Sequence, residues 1–254
     1  MEYMKYEVLE PGISRMWIDR PKALNAMNSV VIAEMDEMLE SISSDKALKV
    51  LIVGGEANFA AGADIKEMIN NGPDQALKFC FTPTFNKLME LEIPTIAAVD
   101  GYALGGGVEL AMCCDMRIIT EDAVMGQPEI NLGILPGGGG NIRLPRLVGV
   151  PMAMELILTG RNVRAEEAVR IGLANKAVPK DQLLAECLKL AQRIAAKPQN
   201  CVRAAKEIIT QGLEYPNVGT ATYYEREEWA KLFGTPNQKK GMSAFIEKRP
   251  ANFV

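Results

Sequence analysis

The chain has 254 residues, 48% of them hydrophobic and 24% charged, enough for one large domain or two small ones around a sizeable core. Its net charge of −4 excludes a generally basic surface for nucleic acid, and no apolar run approaches the roughly 20 residues of a membrane-spanning helix. It contains no histidine, which excludes Ser-His-Asp and Cys-His catalysis and histidine metal sites. Any general acid or base is therefore a carboxylate, Lys, Tyr or Cys. The opening M-E-Y-M-K-Y-E does not read as a signal or transit sequence. Cys80, Cys113, Cys114, Cys187 and Cys201 form no C-x-x-C or zinc spacing, and an odd number of them fits a reducing cytoplasm.

Residues 5–8 and 13–18 read as two strands turning at Pro11 and Gly12. The loop R-P-K-A-L-N-A-M-N follows at 20–28, with Lys22 at its cationic tip. Ser29 is placed to cap a helix over 30–42, where Val31, Met35, Met38, Leu39 and Ile42 keep helical spacing. Residues 50–53 are continuously apolar, as in a strand buried on both faces. Then N-F-A-A-G-A-D-I-K-E-M, 58–68, passes through a small-residue turn into a helix start. Asp64 can cap that helix, and Ala61, Gly62 and Ala63 leave the backbone bare. Gly72 and Pro73 break the chain, and 74–91 is mostly helical with an interruption at Pro83.

The chain is organised around 100–115, with the strand 95–99 just before it. T-I-A-A-V reads as a buried strand, and D-G-Y-A-L-G-G-G-V-E-L-A-M-C-C-D carries three glycines into an apolar helix. A glycine turn ahead of a helix presents free N–H groups reinforced by the helix dipole. Glu109 stands on the first turn of that helix. Alone, G-G-G-x-E fits close packing and dipole complementation equally well. Residues 116–119 form a third strand. G-Q-P-E-I-N-L-G-I-L-P-G-G-G-G-N-I-R-L, 126–144, then puts Glu129 just past a proline in an extended segment before a four-glycine turn. A lone loop glutamate is more often solvated than catalytic. The loose recurrence of strand, small-residue turn and helix start at 50–68, 95–112 and 116–144 points to stacked β-β-α turns.

From Pro151 the texture is helical: 152–158, 165–171, 182–196, 200–211, 219–233 and 237–246, with a brief strand at 175–178. This places a boundary near Val150, between a core of residues 1–150 and a helical oligomerisation region of residues 151–254.

The ordered set A-A-G-A-D-I-K, G-Y-A-L-G-G-G-V-E-L-A and G-Q-P-E-I-N-L-G-I-L-P-G-G-G-G resembles the crotonase (enoyl-CoA hydratase/isomerase) superfamily, most nearly a short-chain enoyl-CoA hydratase. R-P-K-A-L-N-A-M and A-F-I-E-K-R-P match it too, so the resemblance covers essentially the whole chain. It implies an α/β fold, a spiral of β-β-α turns with a C-terminal helical region that makes trimers, commonly paired as hexamers. It implies an acyl-CoA thioester as substrate, coenzyme A being part of that substrate, and no cofactor or metal. The oxyanion hole falls at the backbone N–H groups of Ala63 and Gly106. The catalytic pair falls at Glu109, which helps to hold and activate water, and Glu129, which exchanges the proton at Cα. Coenzyme A would lie along Lys22, Ala23, Leu24, Ala61, Ala63, Asp64, Ile65 and Lys66, with Phe245 and Lys248 arriving from a neighbouring subunit. Phe79, Phe81 and Phe85 belong either to the acyl end or to the core. One departure concerns pocket shape: G-G-N-I-R-L stands where many hydratases have G-G-T-Q-R-L. Reversible hydration of a trans-2-enoyl-CoA is the leading reading. Δ3,Δ2-enoyl-CoA isomerisation, hydration of a cyclic or carnitinyl-type enoyl-CoA and a binding-only member, including an RNA-binding one, are the alternatives.

Overall fold

A computed structural model describes residues 1–253. β1 (Met4–Glu10) and β2 (Ile13–Ile18) form the expected antiparallel hairpin. Helix α1 (Ser29–Ser44) follows the 20–28 loop. Its cap is Asn28, not Ser29: the Asn28 backbone is extended and its side-chain oxygen accepts from Val31 N at 3.0 Å. Asn and Ser cap equally well, so only the backbone decides which of the two adjacent residues serves.

Three β-β-α turns then stack. The first runs from β3 (Val50–Gly55) through a single bridging residue, Ala60, to α2 (Ile65–Met68). α3 (Pro73–Lys78) and α4 (Thr82–Met89) complete it, and Pro83 lies in the first turn of α4. There its missing N–H costs nothing, so it opens a helix instead of interrupting one. The second turn is β4 (Thr95–Val99), β5 (Tyr102–Leu104) and α5 (Gly106–Cys113). The third is β6 (Met116–Thr120), β7 (Val124–Gly126), a 3-10 turn at Pro128–Leu132 and helices α6 (Gly140–Val148) and α7 (Val150–Thr159). Glu129 thus sits in a tight turn, not in the extended segment expected for it. Pro128 starts that turn and Gly133, left-handed at φ 75, ends it.

β8 (Asn162–Arg164), α8 (Ala165–Arg170), β9 (Lys176–Val178) and α9 (Leu183–Ala195) come next. The main sheet has the order β1-β2-β3-β4-β6-β9, parallel except at β1. The smaller has the order β5-β7-β8, and Ala60 bridges to Ala103 beside it. β3 is buried on both faces, as its unbroken apolar run requires. Leu51 and Val53 join the larger core under the turns, while Val50 and Ile52 meet Leu183, Cys187 and Ala191 of α9. Residues well past Val150 therefore complete both sheets and one of the two cores, and packing is continuous across that point. The reason is non-local: β8 and β9 are three residues each and owe their form to β7 and β6.

The last helices differ. α10 (Gln199–Gly212) and α11 (Val218–Lys231) bury no residue, and α12 (Pro236–Ile246) buries only Ala244. No described helix is long and apolar enough to cross a membrane.

Candidate active site

All residues of α5 are buried, so the helix must enter the core without a bulky start. A Cβ on Gly107 would lie 2.0 Å from Ala60 O, a contact only glycine avoids. That approach brings the first two β-β-α turns together and carries Glu109 inside, where it is 2% exposed. Its Oε1 accepts from Gly138 N and Gly140 N, both at 2.7 Å, in the glycine loop of the third turn. Burial pushes the Glu109 carboxyl up, against the pull of those two N–H groups and of the Arg143 charge.

Glu129 reaches the same place from the 3-10 turn and is 9% exposed. Gly105, at φ 52, makes room for it: a Cβ there would lie 3.1 Å from Glu129 Oε1. Burial pushes Glu129 up to about 7, with the Glu109 charge adding to the rise and its own backbone N–H opposing it. The fully buried Gln127 amide, with its nitrogen toward Glu129, donates to the two carboxylate oxygens at 2.8 and 3.1 Å. The result is a carboxylate pair in which one member readily holds a proton near neutrality.

Two unpaired backbone donors, Ala63 N and Gly106 N, belong to residues of the same cleft. Met27 N donates to Gly62 O (2.7 Å) and Asp64 N to Met27 O (2.8 Å), a parallel bridge centred on Ala63. The middle residue of such a bridge turns its own N–H the other way. Gly106 N opens α5 and is one of the first-turn donors without a helical partner. Neither N–H donates to any described residue. Ala63, Gly106, Glu109 and Glu129 all line one cleft of about 620 Å³. The rest of its lining is largely apolar and includes Met68, Leu77, Phe79, Phe81 and Leu135. Phe79 and Phe81 thus line the cleft, while Phe85 is fully buried core.

Of the other expected contacts, Ala61 and Ile65 line the cleft. The turn bearing Lys22, Ala23 and Leu24 is tied to it, because Ala61 N donates to Leu24 O at 3.0 Å. Lys22 and Lys66 are exposed. The Asp64 carboxylate is engaged within the protein. It caps α2 by accepting from Lys66 N and pairs with Arg20 Nη1 at 2.7 Å, and Arg20 holds it below the usual carboxylate range. Phe245 and Lys248 are exposed and do not line the cleft of their own chain. Sequence reasoning missed the two glycine N–H groups on Glu109, Gln127 and the Arg20–Asp64 pair. G-Q-P-E holds Gln127 two residues before Glu129, the one local signal available.

Residues 9–254 match the family model described as enoyl-CoA hydratase/isomerase. The chain is 44% identical over 249 residues to the crotonyl-CoA hydratase of Syntrophomonas wolfei, covering 96% of this chain and 95% of that one. It is 45% identical over 244 residues to the short-chain-enoyl-CoA hydratase of Clostridium acetobutylicum, covering 94% and 93%. The crystal structure of an enoyl-CoA hydratase from Bacillus anthracis superposes with a TM-score of 0.94 at 34% identity, covering 99% of this chain and 98% of the other. Full-length similarity at this level, in sequence and in architecture, leaves one conclusion: the chain belongs to the enoyl-CoA hydratase/isomerase (crotonase) family.

Proposed function

We propose that the protein catalyses the reversible hydration of a trans-2-enoyl-CoA to a 3-hydroxyacyl-CoA, as a lyase. The carrying observation is the pair Glu109 and Glu129, buried from separate turns into the cleft that also holds the free N–H groups of Ala63 and Gly106. The thioester oxygen sits between these two donors, which stabilise the enolate charge as it forms. Water adds its oxygen to Cβ and gives a proton to the carboxylate pair, with Glu109 holding the water. Glu129 delivers a proton to Cα, so the pair ends with the proton count it started with. The Ala61–Leu24 junction and the lysines beside it, Lys22 and Lys66, offer coenzyme A backbone groups and point charges for its phosphates. The apolar lining takes the acyl chain. The names of the two relatives above support a short chain. The free cysteines support a cytoplasmic location.

The test is a panel of enoyl-CoAs from C4 to C16, with cyclic members, followed by loss of the conjugated enoyl absorbance before and after exhaustive chelation. Turnover of short members unaffected by chelation is expected. No turnover of any member, or a loss that a divalent metal restores, refutes the reading.

We further propose a trimer or a hexamer built from two trimers. The outermost helices and the turns at their ends leave Ile209, Leu213, Val218, Trp229, Phe233 and Phe245 exposed, and α10, α11 and α12 together bury only Ala244. Sedimentation at micromolar concentration should show no folded monomer as the main species. A fully active monomer would overturn this assembly, and with it any role for a neighbour's Phe245 and Lys248.

A further inference from the structure

The glycine loop that holds Glu109 is conformationally loose by composition. Residues 137–140 are all glycine, and glycine peptides rotate at little steric cost. Yet the hold on Glu109 needs two particular peptides aimed at one oxygen: Gly138 N and Gly140 N both meet Oε1. Between them lies the Gly138–Gly139 peptide. If it turned over, its carbonyl would face the carboxylate and repel it.

Arg143, on the first turn of α6, grips that carbonyl. Its Nη1 donates to Gly138 O at 2.6 Å and its Nη2 to Asn86 Oδ1 of α4 at 2.9 Å. The guanidinium fills the space beside Gly139, where a Cβ would lie 1.8 Å from Nη1 and where φ is 105. Asn141 pins the other end of the loop, its Nδ2 donating to Pro136 O at 2.7 Å. A planar fork bridging a backbone carbonyl and a side-chain amide suits Arg and does not suit Lys, whose charge is a single point.

We propose that Arg143 is a positioning residue for Glu109: it fixes the orientation of the Gly138–Gly139 peptide and thereby keeps two N–H groups converged on one carboxylate oxygen. It touches no reacting atom. This rests on the hydratase reading for its kinetic consequence but not for its structural one. Three ionisable groups act with Glu109: Arg143 from α6, Glu129 from the 3-10 turn and Cys113 from α5 itself. Burial pushes Cys113 up to about 12, so it stays neutral. Arg143 is the one cation among them, and its loss raises the Glu109 pKa.

The experiment compares Arg143→Ala, Arg143→Lys and Asn86→Ala with the parent. For folded Arg143→Ala, kcat should fall about 100-fold, the scale of a displaced catalytic group, with KM held within about three-fold. The acid limb of kcat/KM should move to higher pH. Arg143→Lys should return that limb toward the parent's position while recovering only part of kcat, because charge is restored and the fork is not. Asn86→Ala should lower kcat several-fold with KM unchanged, and it serves if Arg143→Ala does not fold. A second readout needs no turnover: 13C NMR titration of side-chain-labelled glutamate, with Glu109 assigned by Glu109→Gln. The Glu109 titration should move up in Arg143→Ala and not in Arg143→Lys. A parent that hydrates no enoyl-CoA defeats the function reading, yet the titration still judges Arg143. Unchanged kcat together with an unmoved Glu109 titration in a folded Arg143→Ala overturns the proposal.

Discussion

Glu129→Ala is expected to remove hydration and double-bond migration together, whereas Glu109→Ala removes hydration and leaves weak conversion of a 3-enoyl-CoA to its 2-enoyl isomer. Hydration needs one group to take a proton from water and another to deliver one to carbon. Moving a double bond only carries a proton between two carbons, which one carboxylate can do. Glu129 is the member held near neutrality, at about 7, so it is the one able to give and take that proton at working pH. Glu109 accepts two backbone N–H bonds on one oxygen, which leaves the other for water. Positioned acid–base groups contribute roughly 10²–10⁴-fold, and a loss of about 10³ in kcat is expected for the hydratase activity of each folded variant. Turnover of crotonyl-CoA and of a 3-enoyl-CoA measures both. Hydration by Glu109→Ala within a few-fold of the parent would overturn the two-glutamate mechanism.

Under the proposed mechanism the same pair should also set the pH profile. Hydration and dehydration both start from the pair carrying one proton, so their kcat/KM profiles should share limbs. The rate falls as pH rises through the Glu129 value of about 7, where the pair gives up that proton. It falls again in acid, once the Glu109 carboxylate is protonated and can no longer accept from water. A rate still climbing through alkaline pH would mean that no shared proton is involved.

Gly106→Pro should lower kcat by about 10²–10³ relative to Gly106→Ala, the scale of one lost oxyanion donor. The pairing matters because both variants add a Cβ, which would lie 2.8 Å from Phe81 Cε2 and 3.1 Å from Met27 Cε. These are ends of side chains, and the strain they impose is common to the two. Only proline replaces the N–H, its ring taking the place of the hydrogen, and proline is at home on the first turn of a helix. Circular dichroism and sedimentation establish that both variants fold. Equal rates in the two would place the thioester oxygen elsewhere than at Gly106.

Much of the candidate site's layout was legible because its signals are local. Glycine runs announce where a backbone must approach something closely, and Gly105–Gly107 and Gly137–Gly140 lie where Glu129 and Glu109 are accommodated. Unbroken apolar runs announced β3 as a strand buried on both faces and β4 as a buried strand. The absence of histidine, a matter of composition alone, turned attention to the carboxylates as acid and base.

Less legible features depend on partners distant in sequence. The strands of the smaller sheet are three residues each, below any periodicity, and exist because β5, β7 and β8 hydrogen-bond to one another. Glu129 follows Pro128, which looks extended locally, and the chain instead closes into a 3-10 turn ended by left-handed Gly133. Asp64 reads as a helix cap and is one, but its ion pair with Arg20 spans 44 positions. The boundary near Val150 followed a change in texture that the sheets do not respect.

The sequence by itself determined the acid–base repertoire, the strand-turn-helix repeat and the two glutamates on glycine-rich turns, since each depends on residue type and near neighbours. Only the tertiary structure decided that the two carboxylates share one cleft, and that burial with mutual charge raises Glu129 while burial raises Glu109. It also decided that Gly138 and Gly140 hold Glu109 under the grip of Arg143. Those outcomes are distances between atoms in different turns, and a chain specifies them only through how the turns pack.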